Sequence, residues 1–168
     1  MTRRQVALHG AERESLDEWL QYHRETLAMK CDGLTPEQLC IRSVPPSTLS
    51  LIGLVRHMAE VERYWFRRLV AGESPDSVGP IYYSDASPDG DFDLTDPATV
   101  DEAMATWRSE CDRADAIAAG RDLDETHFQA GRGDISMRWV LTHMIEEYAR
   151  HNGHADLLRQ CIDGATGD

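Results

Sequence analysis

The chain of 168 residues has the length of one domain with its own core, so we expect a single domain over residues 1–168. Its 17 basic and 30 acidic residues give a net charge of −13, which excludes electrostatic attraction to nucleic acid or to an anionic membrane. The N-terminal residues hold no apolar run of signal-peptide length, and no window reaches the length of a transmembrane helix. We therefore expect a cytoplasmic protein that binds neither nucleic acid nor membranes.

The cysteines are widely spaced and form no C-x-x-C pair, so the sequence predicts neither a disulfide framework nor a zinc ribbon. We expect them to stay reduced, as small and partly buried side chains. They are Cys31, Cys40, Cys111 and Cys161.

Helical periodicity recurs in four long segments, and no segment shows a convincing two-residue alternation, which predicts an all-α domain. The first helix is predicted over residues 11–29. Thr35 and Gln38 have the spacing of a capping box, which predicts a short helical turn next. The second long helix is predicted from residue 47 or 48 to Gly72, where the glycine ends it.

The segment 73–96 is rich in proline, glycine, aspartate and serine, and it is long for a loop in a compact domain. It predicts a crossover along the length of a bundle, with the second and third long helices parallel. Asp96 is the predicted cap of the third helix, which ends at Gly120, and the fourth runs from about Ser136 to about Asp163. The expected architecture is a four-helix bundle with a long crossover between helices two and three.

The fourth helix carries histidines and glutamates on neighbouring positions. If Met144 marks the middle of the buried face, His151 lies roughly 20° and Glu147 roughly 60° from it at about 100° per residue. His143 and His154 lie at the margin of that face, and we interpret His143 as an edge residue. Glu147 and His151 are therefore predicted to point inward, one helical turn apart.

Two interpretations of this pair are open. A carboxylate and an imidazole suit a divalent metal and leave coordination positions for water or substrate. Alternatively, the two side chains hydrogen-bond to each other or to partners across the core, because a buried glutamate without a partner is costly. A third ligand would come from another helix, and periodicity does not choose between His23 and His57. The full set of candidates is His9, His23, His57 and His127.

Three stretches, LIGLVRHMAEVERYWF, IYYSDASPDGDFD and MRWVLTHMIEEYARHNGHADLLRQCIDGATGD, resemble the DinB superfamily. They are most similar to its actinobacterial, DUF664-type, mycothiol-dependent branch, which is related to the metal-binding domain of mycothiol-dependent maleylpyruvate isomerase. The resemblance implies a four-helix bundle with a crossover that holds one divalent metal, zinc or alternatively nickel. The E-x-x-x-H pair is similar to the isomerase branch, where His, Glu and His bind zinc. The implied metal ligands are therefore His57, Glu147 and His151.

The same resemblance implies a metal-dependent thiol S-transferase. Mycothiol or a similar low-molecular-weight thiol would be the co-substrate, activated by the metal and transferred to a small electrophile in detoxification. Bundles of this family are often dimeric, so a homodimer is also expected. Two alternatives use the same residues differently: a hydrolase in which the metal activates water, and a non-catalytic stress-response or binding bundle.

Overall fold

The computed structural model describes residues 3–93 and 95–167, and most of them are helical, as the sequence predicts. Residue 94 of the predicted crossover lies outside the described residues. The helices and strands, in chain order, are α1 (Glu12–Cys31), α2 (Pro36–Leu39), α3 (Leu51–Glu62), a π-helix (Arg63–Val70), α4 (Gly90–Asp93), a 3-10 turn (Pro97–Thr99), α5 (Val100–Ala118), β1 (Thr126–Gln129), β2 (Gly133–Ser136) and α6 (Met137–Asp163).

The ends of α6 are set by local chemistry that the sequence shows. Ser136 Oγ accepts a hydrogen bond from the Trp139 backbone N–H at 3.2 Å, which satisfies a free donor of the first turn. Gly164 ends the helix with a φ of 79°, a left-handed conformation that favours glycine. The capping box of Thr35 and Gln38 likewise begins α2 as predicted.

The second long helix differs from its prediction at both ends. It begins at Leu51, capped by Ser50, because the preceding V-P-P-S stretch holds residues 44–47 in a turn. Its last turns, Arg63–Val70, form a π-helix, which no periodicity in the sequence indicates. Segments of π-helix are rare and often lie at functional sites.

A small hairpin corrects the expectation of a domain without strands. Strands β1 and β2 pair antiparallel, with Thr126 opposite Ser136 and Gln129 opposite Gly133. Each strand has only four residues, too few for a two-residue alternation to be recognised. Ile135 is buried, and the G-R-G-D stretch forms the turn and the start of β2.

The core lies between the long helices. Helix α1 packs on α6, while α3 packs on both α5 and α6, so the helices that carry the predicted ligands are in contact. Helix α4, within the crossover, packs on α3. No described helix has both the length and the apolar character needed to cross a membrane. Fully buried apolar side chains fill the space between these helices, among them Leu27, Leu51, Met58, Leu141 and Met144.

A buried polar network joins all four long helices. Glu62 is fully buried, and Arg24 donates to its two carboxylate oxygens at 2.7 Å each. The Tyr148 hydroxyl donates to Glu62 Oε1 at 2.8 Å and accepts from Trp107 Nε1 at 2.8 Å. Arg24 also reaches Asp115 at 2.6 Å. Because every buried charge in the network has a partner, the network fixes how the helices meet.

Candidate metal centre

The structure brings His57 of α3 together with Glu147 and His151 of α6. One potential ligand atom from each lies within 4.8 Å of the other two. The His57 and His151 rings are 4.7 Å apart between centroids, and Glu147 Oε2 lies 3.5 Å from His151 Nε2. His151 is 8% exposed and Glu147 is half-buried, which agrees with their predicted inward direction.

The other candidate histidines lie elsewhere. The His23 carbonyl accepts from the Asn152 side chain at 3.0 Å, so His23 belongs to the contact between α1 and α6. His127 lies on β1, and His9 is exposed before α1. Among the described residues, His57 is thus the candidate that joins the pair on α6. The contact between α3 and α6 arises from tertiary packing. The periodicity of a single helix does not contain it, so periodicity could not choose His57.

Asp91 of α4 is a site residue that the sequence interpretation missed. Its Oδ2 lies 2.8 Å from His57 Nδ1, and Asp91 is 5% exposed. The Phe92 ring stacks on His57 with centroids 4.5 Å apart. The D-G-D-F-D run in the crossover was the available indication, but nothing in its spacing shows that it folds back onto α3.

The His151 imidazole is held neutral. Burial, together with the neighbouring His57 and His154 rings, lowers its pKa from 6.5 to about 3. His154 Nδ1 lies 3.4 Å from His151 Nδ1, which places His154 beside the site. Metal binding requires a neutral imidazole, so His151 is prepared to act as a ligand across the physiological pH range.

His143 lies closer to the site than its interpretation as an edge residue implied. Its Nε2 is 3.4 Å from Glu147 Oε1, and its ring stacks on Trp139 with centroids 4.8 Å apart. The edge of the ring contacts Trp65 at 4.7 Å between centroids. Burial lowers the His143 pKa as well. His143 therefore lies beside Glu147, at the carboxylate oxygen away from His151.

These residues fit a divalent metal ion. Both Glu147 carboxylate oxygens face histidine rings whose pKa values are lowered by burial, so these rings do not balance the carboxylate charge. Two imidazoles and a carboxylate form a donor set that zinc uses with an open coordination position. All four cysteines are free, and none belongs to this group of side chains.

In a comparison with known families, residues 15–164 match the sequence model of the family described as Mycothiol-S-transferase. The match includes all three residues of the candidate metal centre. It confirms the predicted resemblance to the mycothiol-dependent branch. A comparison with curated proteins finds no match to the chain.

Proposed function

Because the chain belongs to the mycothiol S-transferase family, we propose that it joins mycothiol through its sulfur to a small electrophile and uses a divalent metal to do so. We propose zinc, held by His57, Glu147 and His151. The observation that carries the metal dependence is the convergence of one ligand atom from each residue within 4.8 Å. The neutral state of His151 supports the same role, because protonated imidazole does not bind metal.

The protein residues supply orientation and charge. His57 and His151 offer imidazole nitrogen atoms, and the Glu147 carboxylate provides the negative charge that retains a cation. A divalent ion bound there would lower the pKa of a thiol and stabilise the thiolate. In the transfer, the S–H proton is released, a carbon–sulfur bond forms at the electrophile, and any leaving group departs with the electron pair of the broken bond.

The surrounding architecture is part of the proposal. We propose that α1, α3 with its π-helical extension, α5 and α6 form a DinB-type four-helix bundle, with α4 in the crossover. The packing of α1 on α6 and of α3 on α5 and α6 supports this arrangement. We place the reaction in the cytoplasm, where low-molecular-weight thiols are kept reduced.

Metal analysis and a conjugation assay test the function together. The full chain would be purified without chelators, its zinc and nickel contents measured, and mycothiol conjugation to a nitro-activated aryl chloride followed with and without metal. We expect conjugation that requires both mycothiol and the metal. Metal-dependent hydrolysis of an ester in the absence of thiol would instead assign the protein as a hydrolase. Absence of both reactions would favour a non-catalytic bundle.

A further inference from the structure

The structure assigns to Asp91 the role of a positioning residue for His57, and to α4 the role of a structural part of the metal centre. This inference rests on the proposed metal site. Asp91 Oδ2 lies 2.8 Å from His57 Nδ1, and the carboxylate is buried. The crossover therefore supplies the site with a partner for one of its ligands.

The chemistry of the contact sets the position of the ring proton. An aspartate carboxylate only accepts hydrogen bonds, so His57 Nδ1 carries the ring proton and donates a hydrogen bond to Asp91 Oδ2. In the neutral imidazole the lone pair is then on Nε2, which leaves that atom available to a metal. The other Asp91 oxygen, Oδ1, accepts from the Phe92 backbone N–H at 3.1 Å, so the carboxylate itself is oriented.

Helix α4 is fixed to α3 by residues beside His57. The Arg56 guanidinium donates to the Gly90 carbonyl at 2.9 Å and to the Asp91 carbonyl at 3.1 Å. Gly53, one turn before His57, lets the Phe92 backbone approach, since a Cβ there would lie 3.1 Å from the Phe92 carbonyl oxygen. The space beside the His57 imidazole at Gly53 is thus filled by α4, and Phe92 covers the His57 ring.

A different role for the same contact is to tether the crossover to α3. Tethering alone would stabilise the fold but would not require a particular His57 tautomer or a high zinc affinity. The tautomer and the affinity therefore distinguish the two roles, whereas a melting temperature does not.

The test uses three variants of the full chain: Asp91→Ala, Asp91→Asn and the control Asp89→Asn. Asp89→Asn removes the same charge from an exposed position in the same segment. Heteronuclear NMR of the labelled imidazole nitrogens would give the His57 tautomer in metal-free protein, and competition with a chelating dye would give zinc affinity. Loss of a residue that orients a metal-binding histidine typically lowers metal affinity by about 10- to 100-fold.

For Asp91→Ala we expect a loss of zinc affinity of that size and a shift of the His57 proton from Nδ1 toward Nε2. Asp91→Asn should lose less zinc affinity, because the amide oxygen of asparagine can still accept a hydrogen bond from His57 Nδ1–H. The control should behave as wild type. Folded Asp91→Ala protein with the wild-type tautomer and zinc affinity would overturn the inference in favour of tethering. If wild-type protein bound no zinc, the proposed function would fail, while the tautomer comparison would still decide whether Asp91 sets the proton position.

A second pair of variants leaves Asp91 and His57 untouched. In Gly53→Ala, the new methyl group would lie 3.1 Å from both the Phe92 carbonyl oxygen and Ser50 Oγ, so we expect α4 to shift slightly and zinc affinity to fall, though less than in Asp91→Ala. Gly153→Ala is the matched control, because a Cβ at this helical glycine of α6 meets no atom within 4 Å. Equal zinc affinity in both alanine variants would contradict the assignment of α4 to the metal centre.

Discussion

Glu147 Oε2 lies 3.5 Å from His151 Nε2, one turn further along α6. A good hydrogen bond between a nitrogen and an oxygen is shorter, about 2.7–3.2 Å. Two donor atoms on a tetrahedral zinc ion, each about 2.0–2.2 Å from it, lie roughly 3.4 Å apart. The separation is thus too long for a good direct hydrogen bond and of the length that two zinc ligands would have, as is the 3.4 Å between Glu147 Oε1 and His143 Nε2.

Replacement of His151 by alanine should abolish zinc binding, because a ligand atom is lost from a set of three. His143→Ala should retain most of the zinc affinity. His143 contacts Glu147, but its ring stacks on Trp139 and is not one of the three proposed ligands. Equilibrium dialysis of both variants with zinc measures the difference. An equal loss of zinc in the two proteins would mean that His143 is itself a ligand.

Glu147→Gln should weaken zinc binding strongly while it costs the metal-free protein little stability. The substitution keeps the side-chain volume and removes a partly buried charge whose neighbours are histidine rings. Thermal unfolding with a chelator present compares the metal-free proteins, and dye competition compares their zinc affinities. A metal-free variant that melts well below wild type would show that Glu147 is mainly a structural hydrogen-bond acceptor.

The stability of the metal-free protein should fall as the pH decreases below about 6.5, the ordinary histidine pKa. Folded His151 has a pKa of about 3, so between these values the unfolded chain binds a proton that the folded chain does not. This one group lowers the free energy of unfolding by up to about 1.4 kcal/mol per pH unit. Urea unfolding at about pH 7 and about pH 5 should show a smaller decrease for His151→Gln than for wild type. Equal decreases would mean that His151 titrates normally in the folded protein.

Glu62→Gln should destabilise the fold by about 3 to 5 kcal/mol, because it removes the buried partner of the Arg24 charge. Asp115 also pairs with Arg24, but its side chain is half-exposed, so Asp115→Asn should cost less than about 1 kcal/mol. Urea unfolding of the two variants gives the comparison. Similar losses would show that solvent reaches Arg24 in the core.

Features set by neighbouring residues were predictable from the sequence. Ser136 caps the start of α6 and Gly164 ends it. The direction of the Glu147 and His151 side chains follows from helical geometry, because both residues lie on one helix. The hairpin and the π-helix were not predictable. The pairing of two short strands and the wider turns of the π-helix depend on contacts with the rest of the fold. A local pattern in the sequence does not contain these contacts.

The candidate metal centre was likewise only partly predictable from the sequence. His57 could be selected only by the family resemblance, since the sequence does not show which face of α3 meets α6. Asp91 was missed because it is 34 residues from His57 and reaches it only when the crossover folds back onto α3. Where a ligand set spans several elements, the sequence predicts the pair on one helix and tertiary packing supplies the rest.

Calorimetric titration of mycothiol tests the proposed function most directly. Zinc-loaded and metal-free protein would be titrated in two buffers of different ionisation enthalpy, with His57→Ala as a matched control. A free thiol loses its proton at a pH of about 8.5, and a cation lowers that value. We expect binding only to the zinc-loaded wild-type protein, with a heat that depends on the buffer because a proton is released. Binding of equal strength to metal-free protein, or no binding to the zinc-loaded form, would contradict a metal-activated thiol transferase.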